Sequence, residues 1–600
     1  MTAVALPDER AVRESCRLLE GQTGVTVIGE LRWFEDLRVW ALPVRLQVES
    51  PSSSDVPPAT DWYMVIDERF PFGKVELFPA RAGGLPGTRP HQDKNMPGDA
   101  ALPWTEGDIC VKVPTFIHGR HGDDPDPLGE PHRLRWYTER ARSWLEDAVA
   151  GTLLREGEHF ELPQFSPLAD TVGFCEDTST FASWTSSASR YGRVELAWLP
   201  GGAAYAARRF LDSSGGVIVA PAWGACIAEC TTMQVAGWLR LDSVPVLRKY
   251  QAPGTWAEFW KLIAEAGINP EAVLRPVLAP LRDDKPHALL VGFPIPTRVG
   301  EAPSVMHWQP LQLPSQVTST KPTPGFRGNE QGLWSRDQAM VLQSKKPLTW
   351  LSGENWNAEV LGARGRLSAA LRGVSVTLLG AGALGSAVAE LLVRGGVWDI
   401  HVVDPERLTA GNLVRHSLSM EEIGQHKAER LARRLNRLSP FARASFSNRH
   451  AHDERNEGGK GPRMVLDCTG SDDVLQRLCA GTPEAGSVLV SLSVGLGANR
   501  LYIVRALGMS FPFSEFKAAM QPWLARDVEN NGGCRLPHEG PGCWHPLFPA
   551  RPDEISMHAS AAVSELERAT RGDSRAWNLR VLERRLDERG TLTYGPSNAE

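Results

Sequence analysis

The sequence predicts a multidomain α/β protein with three folded parts. Its 600 residues exceed what one hydrophobic core usually organises, at roughly 150 residues per domain. A polar, proline-rich stretch at residues 301–332 marks the clearest break in the chain. After this break, strand-like and helix-like segments alternate, which predicts a parallel sheet covered by helices.

The predicted boundaries follow the proline, glycine and serine content. QFSPLAD, residues 164–170, ends the first part. The middle part mixes strand-like and helix-like segments and carries no recognisable chemistry. We therefore expect an α+β domain at 1–165, a mixed α/β linker domain at 166–320, a proline-rich linker at 321–350 and a Rossmann-like domain at 351–600.

Composition and charge narrow the class of protein. Apolar residues make up 42% and charged residues 23% of the chain, with a net charge of −6, as in folded soluble proteins. No run of Lys and Arg predicts a nucleic-acid surface, and the longest apolar run, 215–228, is too short to cross a membrane. The first residues lack the apolar core of a signal peptide. Nine scattered cysteines favour a reducing cytoplasm.

The first domain is predicted to contain strands followed by a helix. LRVWALPVRLQV and WYMVI favour strands, and the loop 49–61 separates them. Residues 132–154 favour an amphipathic helix. Spacings of three and four place five of its residues on one face: Tyr137, Ala141, Trp144, Leu145 and Ala148.

A glycine-rich loop opens the last domain. Gly380, Gly382 and Gly385 follow the strand-like VSVTLL and precede a helix-like run. Such a loop lets backbone N–H groups approach a phosphate at the positive end of a helix. Asp404 ends the next strand, where a carboxylate accepts hydrogen bonds from a ribose. The pattern predicts a nucleotide site rather than an ordinary tight turn.

The residues after Asp404 favour phosphate chemistry over hydride transfer. Asn412, Arg415 and Lys427 supply polar and cationic donors soon after that acid. Attack on an α-phosphate needs such donors because charge builds on the pyrophosphate leaving group. A dehydrogenase needs a dry nicotinamide pocket instead. A nucleotide-binding oxidoreductase remains an alternative, and it would bind nicotinamide rather than ATP.

Four motifs in order, GAGALGS, VVDPERLTAGNLVRH, GQHKAE and VLDCTGS, resemble the ThiF/MoeB and ubiquitin-activating adenylation fold. The resemblance covers roughly residues 371–567. It implies ATP-dependent adenylation of a protein's C-terminal glycine, with Mg²⁺, and a homodimer. It also implies that Asp404 binds the ribose and that three residues contact the phosphates: Asn412, Arg415 and Lys427.

The magnesium acid is a departure from this resemblance. Many members carry DCTDN, and Gly470 stands at the position of that acid. Asp467 is the predicted Mg²⁺ ligand, with Asp472 and Asp473 just beyond it. The alternative for Asp467 is a strand-end residue that caps the next turn.

The stretch GGCRLPHEGPGCWHPLF, residues 532–548, contains two cysteines and two histidines. Adenylation domains of this fold often carry a catalytic cysteine on a downstream loop, and Cys543 stands at that place. A nearby histidine or helix N-terminus lowers the pKa of a thiol, so Cys543 is the predicted thioester nucleophile. A buried thiol and a zinc site are the alternatives. The zinc ligands would be Cys534, His538, Cys543 and His545.

Residues 60–150 resemble the core of a ubiquitin-conjugating enzyme. The resemblance rests on WYMVIDERFPFGKVELFP, the crossover RPHQDKNMPGDAALPWTEGDICVKVP and the helix after it. It implies that Cys110 is a second acceptor thiol. Conjugating enzymes usually carry His-Pro-Asn before the cysteine, and the Asn stabilises the oxyanion. Here the candidates for that role are His91, Asn95 or another donor, and His91 is the assigned one.

The order conjugating, linker, activating is similar to the fused enzymes of bacterial ubiquitin-like systems, and closest to those of CBASS anti-phage operons. This resemblance implies a thioester relay from Cys543 to Cys110. It implies two partners: a protein with a C-terminal glycine, expected to be a cGAS/DncV-like nucleotidyltransferase, and a target protein amine. Two other hypotheses stay open. One is an activating enzyme for a sulfur carrier, with the first domain as an adaptor, and the other is a non-catalytic nucleotide-binding scaffold.

Overall fold

The computed structural model describes residues 9–597 with short interruptions. The chain forms two compact units, one of residues 1–196, 203–219 and 234–355 and one of residues 197–202, 220–233 and 356–600. No helix in the described part is long and apolar enough to cross a membrane. The interruptions are 53, 112–113, 116–121, 124–125, 166–167, 248–249, 318–322, 451–462, 481–485, 509, 533–535, 537, 540–544, 547–548, 571–575, 587–588 and 590–591.

The first domain is an antiparallel sheet with a helix packed on one face. Its elements are α1 (Glu9–Arg17), β1 (Val25–Val27), β2 (Arg32–Phe34), β3 (Val39–Gln47), β4 (Ala59–Asp67), β5 (Val75–Pro79), β6 (Pro114–Thr115), β7 (Gly122–Asp123) and α2 (Arg133–Ala150). The sheet runs β1-β3-β4-β5, with β2 on β3. The predicted face of α2 is confirmed, since Tyr137, Ala141 and Leu145 are fully buried in the core that it shares with β3 and β5.

The middle domain is a mixed sheet. Its elements are β8 (Leu168–Phe174), α3 (Thr178–Ser186), β9 (Tyr191–Trp198), β10 (Ala204–Asp212), β11 (Val217–Val219), α4 (Ala225–Ala228), β12 (Met233–Arg240), α5 (Trp256–Glu265), α6 (Pro270–Leu278), β13 (His287–Ile295), β14 (Val305–Leu313), α7 (Glu330–Asp337) and β15 (Leu351–Asn355). The strand order is β14-β13-β12-β9-β10-β8-β15, with β11 on β10. Alternate residues of β13 join two different cores: Leu289 and Val291 one, Ala288 and Leu290 the other. The sheet is therefore covered on both faces.

The proline-rich linker predicted at 321–350 differs from the structure. Within it, α7 and a following π-helical turn bury Trp334, Val341 and Leu342 in the core of the middle domain. β15 then pairs with β8, so the sheet extends to residue 355. β14, inside the stretch expected to break the chain, ends the strand order of the sheet. Pro310 pairs with Leu290 inside β14, and its neighbour Leu311 also bridges to Trp350, so proline content misplaced the boundary because this proline lies within a paired strand.

The last domain is a sheet whose first part is parallel. Its elements are α8 (Ala358–Gly362), α9 (Ala369–Arg372), β16 (Ser375–Leu379), α10 (Ala383–Arg394), β17 (Ile400–Val403), α11 (Lys427–Asn436), β18 (Ser445–Ser447), β19 (Arg463–Asp467), α12 (Asp472–Cys479), β20 (Ser487–Val494), β21 (Arg500–Leu507), α13 (Phe513–Asn530), β22 (His538–Glu539), β23 (His545–Pro546), α14 (Pro552–Thr570), β24 (Trp577–Leu586) and β25 (Leu592–Pro596). The order is β18-β17-β16-β19-β20-β21-β24-β25. The strands from β18 to β20 are parallel and the others antiparallel, which confirms the predicted parallel sheet.

Although α4 lies between strands of the middle sheet along the chain, it is part of a segment, residues 220–233, that belongs to the same compact unit as the last domain. Within that unit, the N–H of Gly224 donates to the Pro440 carbonyl (2.7 Å), and Trp223 stacks on Phe441. A Cβ on Gly224 would lie 2.3 Å from the Ala442 carbonyl oxygen. This close backbone approach therefore requires glycine.

Candidate active sites

The glycine loop lies between β16 and α10, at the carboxyl edge of the parallel strands. Gly380 has a φ of +87°, which residues with a Cβ rarely adopt. A Cβ on Gly385 would lie 2.0 Å from the Gly380 carbonyl oxygen, so the helix closes on the loop only with glycine there. A Cβ on Gly382, the N-cap of α10, would meet no atom of the described residues within 4 Å. The backbone there borders open space, which fits the approach of a phosphate.

Asp404 anchors this loop to the end of β17. Asp404 is 6% exposed, and one of its carboxylate oxygens accepts a hydrogen bond from the Ala381 N–H (2.7 Å). The other oxygen accepts from the Glu406 N–H (2.8 Å). Burial raises the pKa of Asp404. Each carboxylate oxygen can accept a second hydrogen bond, so acceptor sites remain for a ribose hydroxyl.

His416, to which the sequence patterns assign no role, holds the same loop. Its Nδ1 accepts from the Leu418 N–H (3.1 Å), so its Nε2 carries the proton and donates to the Ala381 carbonyl (2.6 Å). Burial lowers the pKa of His416, which favours this neutral ring. Both polar groups of the Ala381 residue are thus engaged. The sequence feature that could have indicated His416 is its position as the last residue of the motif VVDPERLTAGNLVRH.

The three residues predicted to contact phosphates have different surroundings. Asn412 Oδ1 accepts from the Thr409 N–H (3.0 Å) in a capped turn, which leaves the Nδ2 amide available to donate. Lys427 is 5% exposed at the start of α11, and its Nζ donates to Glu406 Oε2 (2.5 Å). Burial lowers the pKa of Arg415. The charge of Lys427 also acts on the anchoring carboxylate of the loop, so this lysine lies beside the predicted nucleotide site.

Asp467 ends β19, next to β16 in the sheet. It is 1% exposed, and one carboxylate oxygen accepts from the N–H (3.0 Å) and the hydroxyl (2.7 Å) of Thr469. The other oxygen accepts from the Ser491 hydroxyl (2.7 Å), and burial raises the pKa of Asp467. These contacts match the capped turn described above as the alternative. The geometry therefore does not present Asp467 as an open ligand for Mg²⁺.

The acids just beyond it begin α12 and already have cationic partners. Asp472 pairs with Lys517, and Asp473 pairs with Arg477 at 3.3 Å. Among the described residues, no group of three or more His, Cys, Asp or Glu side chains could hold a metal ion. Mg²⁺ in nucleotide sites usually needs only one or two carboxylates beside the phosphates, so the assignment of Asp467 as its ligand remains a prediction.

Cys543 and Cys534 lie outside the described residues. The backbone near them is described at β22 and β23, which pair antiparallel with Glu539 opposite His545. α14 follows this pair. The thioester role of Cys543 and the zinc alternative therefore remain predictions.

Cys110 lies on a two-stranded ribbon formed with the crossover segment. Gln92 and Ile109 pair antiparallel, and backbone hydrogen bonds of 2.8 and 3.0 Å flank this pair on both sides. Gln92 and Ile109 point into the core and are 2% and 3% exposed. Because side chains alternate across a strand, their neighbours point outward. The outer face therefore carries four side chains: His91, Asp93, Asp108 and Cys110.

The exposed Cys110 thiol borders a cavity of about 450 Å³. The cavity is lined by charged side chains from the ribbon, from β5 and from the segment that follows α2. A cavity of this volume has room for a side chain of a second protein. The carboxyl groups that line it belong to Glu76, Asp93, Asp108 and Glu161.

His91 is held by Glu161 rather than presented to the thiol. Its Nδ1 lies 2.8 Å from Glu161 Oε2, and its backbone N–H donates to the same carboxylate (3.1 Å). Glu161 raises the pKa of His91, and so does a hydrogen bond to the Leu153 carbonyl. Donation from both ring nitrogens leaves no lone pair. Both ring nitrogens are thus engaged, so the arrangement does not favour the predicted role of His91 as the donor to the oxyanion at Cys110.

Asn95 is engaged within its own loop. Its Nδ2 donates to the carbonyls of Leu85 (2.9 Å) and Gly87 (3.0 Å), and its Oδ1 accepts from the Thr105 hydroxyl (2.7 Å). This leaves no amide hydrogen for an oxyanion. Gln164, which the sequence patterns do not single out, is an exposed carboxamide that lines the cavity.

Two carboxyl groups face each other across the ribbon beside Cys110. Asp108 shares a hydrogen bond with Asp93. Burial, followed by the nearby charges of Asp93 and Glu76, raises the pKa of Asp108 to about 7. Sequence patterns assign neither aspartate a role, because fifteen positions separate them and only the ribbon makes them neighbours.

Two family models match the chain. The Cap2 central linker domain matches residues 151–356, and the ThiF family matches residues 355–479. The first range ends with β15, and the second contains the glycine loop, Asp404 and Lys427.

The ATP-dependent ubiquitin transferase-like protein Cap2 of Enterobacter hormaechei subsp. hoffmannii is 32% identical over 559 residues, which are 90% of this chain and 91% of that protein. The chain belongs to the Cap2 family. Two other relatives match smaller shares. The tRNA threonylcarbamoyladenosine dehydratase 1 of Saccharomyces cerevisiae is 30% identical over 16% of this chain and 23% of its own length. The molybdopterin-synthase adenylyltransferase of Salmonella typhimurium is 31% identical over 20% of this chain and 50% of its own length.

Membership of the Cap2 family confirms the predicted resemblance to fused bacterial activating and conjugating enzymes. The match to the ThiF family confirms the adenylation fold of the last domain. This Cap2 homologue is therefore an adenylate-forming transferase with a multidomain α/β fold.

Proposed function

We propose that this chain adenylates the C-terminal glycine of a partner protein and passes the acyl group to an amine through two cysteine thioesters. The observation that carries the proposal is the exposed Cys110 thiol at a cavity, in a chain that also holds the glycine loop before α10. A simple adenylating enzyme needs no second thiol of this kind. The full-length match to an ATP-dependent ubiquitin transferase-like protein supports the same function.

The glycine loop and its neighbours would bind ATP. The N-terminus of α10 would receive the phosphates at Gly382, and Asp404 would accept from the ribose. The amide of Asn412, the guanidinium of Arg415 and the ammonium of Lys427 would contact the phosphates. The Lys427 ammonium would leave its ion pair with the exposed Glu406 and contact a phosphate oxygen instead. These cations would stabilise the charge that develops as the partner's carboxylate attacks the α-phosphate and pyrophosphate leaves.

The acyl group would then move through two thioesters. The Cys543 thiolate attacks the acyl carbon, a C–S bond forms and AMP leaves. The Cys110 thiolate attacks that thioester, and the Cys543 thiolate is the leaving group. An amine of the target finally attacks the Cys110 thioester, which forms an amide and frees the thiol. Fusion in one chain raises the effective concentration of each thiol at the other to about millimolar.

The expected partner is a cGAS/DncV-like nucleotidyltransferase, joined to target proteins during anti-phage defence in the cytoplasm. The proposed assembly is a homodimer. Both proposals rest on the Cap2 family membership and on the order of the domains.

Mass spectrometry of the chain with ATP and candidate partner proteins tests the relay. We expect a partner adduct that dithiothreitol removes. Cys543→Ala should abolish it at both thiols, whereas Cys110→Ala should leave the Cys543 adduct and stop transfer. Cys230→Ala is the matched control, because Cys230 lies outside both sites and its replacement should leave the adducts unchanged. Persistence of the adduct in Cys543→Ala would overturn the assignment of that residue.

A sulfur-carrier activating enzyme is the second candidate, and the match to a molybdopterin-synthase adenylyltransferase favours it. It predicts that Cys110→Ala leaves product formation unchanged. Exchange of labelled pyrophosphate into ATP, measured with a suitable partner, separates both enzymes from a non-catalytic scaffold. A scaffold would show no exchange.

A further inference from the structure

Two of the residues predicted to contact phosphates lie on one short turn, residues 409–416. The Thr409 N–H donates to Asn412 Oδ1 (3.0 Å). The N–H groups of Arg415 and His416 donate to the Asn412 carbonyl (3.1 and 3.0 Å). These hydrogen bonds fix the positions of Asn412 and Arg415 relative to each other. The position of this phosphate turn against the glycine loop depends on other contacts.

His416 joins the phosphate turn to the glycine loop. Its Nε2 donates to the Ala381 carbonyl (2.6 Å), and its Nδ1 accepts from the Leu418 N–H (3.1 Å). One ring therefore binds the loop with one nitrogen and its own segment with the other. Only a neutral imidazole offers one donor and one acceptor in this way, and burial of His416, which lowers its pKa, favours that form.

A second contact between the same parts is longer. The Ser417 N–H donates to the Ser386 hydroxyl of α10 at 3.4 Å, beyond the roughly 2.7–3.2 Å that is typical of such bonds. The imidazole contact is the shorter of the two. Because both of its nitrogens are engaged, the neutral ring has no donor or acceptor left for a phosphate. His416 would therefore act through the turn and the loop rather than on ATP itself.

We propose that His416 is a positioning residue of the nucleotide site, which holds the phosphate turn against the glycine loop so that both elements meet the same phosphates. The inference rests on the proposed binding of ATP at this site. It deepens that function by naming the residue that aligns the two phosphate-binding elements. Without this alignment, Asn412 and Arg415 would be misplaced for the phosphates although neither residue is changed.

Two substitutions separate the two contacts of the ring. An asparagine places its amide near the position of Nδ1, and a glutamine places its amide near that of Nε2. His416→Asn thus keeps a contact within its own segment, whereas His416→Gln keeps the contact to Ala381. We expect His416→Asn to weaken ATP binding about tenfold and His416→Gln to stay within about threefold of the parent, because only the asparagine loses the bond to the loop.

Isothermal titration calorimetry of the full chain with ATP and Mg²⁺ measures these affinities, and thermal melting checks that the variants fold. Parental affinity in His416→Asn would overturn the proposal. A tenfold loss in folded His416→Gln would do so by itself, even where His416→Asn did not fold. His401→Asn is the matched control, because His401 contacts Ser445 on the neighbouring strand (2.8 Å), and it should leave the affinity for ATP unchanged.

A double-mutant cycle tests whether His416 acts through the phosphate turn. Arg415→Gln removes a guanidinium that the turn carries. In this background His416→Asn should cost at most about threefold in affinity for ATP, because a side chain that is already absent cannot also be misplaced. The same tenfold loss in both backgrounds would show that His416 acts elsewhere, and the proposal would fail.

Hydrogen exchange reads the glycine loop without ATP or a partner. The Ala381 N–H is bonded to Asp404, so a loosened loop should expose it. Peptides that cover residues 379–386 should exchange about tenfold faster in His416→Asn than in the parent, and at nearly the parental rate in His416→Gln. Parental exchange in a folded His416→Asn variant would refute the role of His416. If the parent bound no ATP, the proposed function would fail, while this exchange would still decide whether His416 holds the loop.

Discussion

The glycine loop of the last domain presents backbone groups, whereas the outer face of the Cys110 ribbon presents side chains. The loop forms only because Gly380 and Gly385 lack a Cβ, and the Ala381 residue between them has both polar groups engaged. The ribbon presents exposed groups, among them the Cys110 thiol and Asp93. Substitutions in the loop should therefore cost more stability than substitutions on the outer ribbon face.

The largest effect is expected at Gly385. Gly385→Ala places a Cβ 2.0 Å from the Gly380 carbonyl oxygen and should lower the free energy of unfolding by roughly 2–4 kcal/mol. Gly382→Ala is the matched control, because its Cβ meets no atom of the described residues within 4 Å and should cost less than about 1 kcal/mol. Urea denaturation measures both. Equal losses for the two variants would contradict the backbone account of this loop.

Asn95→Ala tests whether the division holds within the first domain. Asn95 lies near the ribbon, yet its three hydrogen bonds hold its own loop. We expect a loss of about 1–3 kcal/mol in the free energy of unfolding, seen by denaturation. Gln164→Ala, which truncates an exposed carboxamide at the same cavity, should leave stability nearly unchanged. A fully stable Asn95→Ala variant with slow transfer from Cys110 would instead assign Asn95 to the oxyanion.

Asp108→Asn should change how stability depends on pH. The pKa of Asp108 is about 7 in the folded chain, against an ordinary value of 3.8. Between these values the folded chain keeps a proton that the unfolded chain loses, so stability falls as the pH rises from about 4 to about 7. An asparagine at this position does not titrate, so the stability of the variant does not show this decrease. Its Tm should therefore rise relative to the parent between about pH 5 and about pH 8, by a few degrees at most.

A relative Tm that stays constant over this range would show that Asp108 has an ordinary pKa. Glu68→Gln is the matched control, because Glu68 lies outside the cavity and the Tm of this variant relative to the parent should stay constant between about pH 5 and about pH 8.

The smallest effect is expected at His91. Glu161 raises the pKa of His91 above its ordinary 6.5, so the contact stabilises the fold fully below pH 6.5. This stabilisation is lost as the pH rises through the folded pKa. Because both side chains are partly exposed, His91→Gln should cost at most about 1 kcal/mol at about pH 6, and less at about pH 9. Transfer from Cys110 that collapses in this variant at constant stability would instead support His91 as the donor to the oxyanion.

Local patterns predicted much of the fold. The strand, glycine loop and helix around Gly380 are visible because each depends on neighbouring residues. The buried face of α2 follows from spacings of three and four. Proline content misplaced the end of the middle domain, because Pro310 lies inside a paired strand of the sheet rather than in a linker.

The sequence by itself determined where the glycine loop, its anchoring carboxylate Asp404 and the Cys110 thiol stand along the chain. Only the tertiary structure decided what surrounds them. Asp93 meets Asp108 through the pairing of Gln92 with Ile109, and Asp467 is closed off by Ser491 from the next strand. Such contacts depend on strand register, which joins residues far apart in sequence. A local pattern cannot specify them, because shifting the register by one residue turns each side chain to the opposite face.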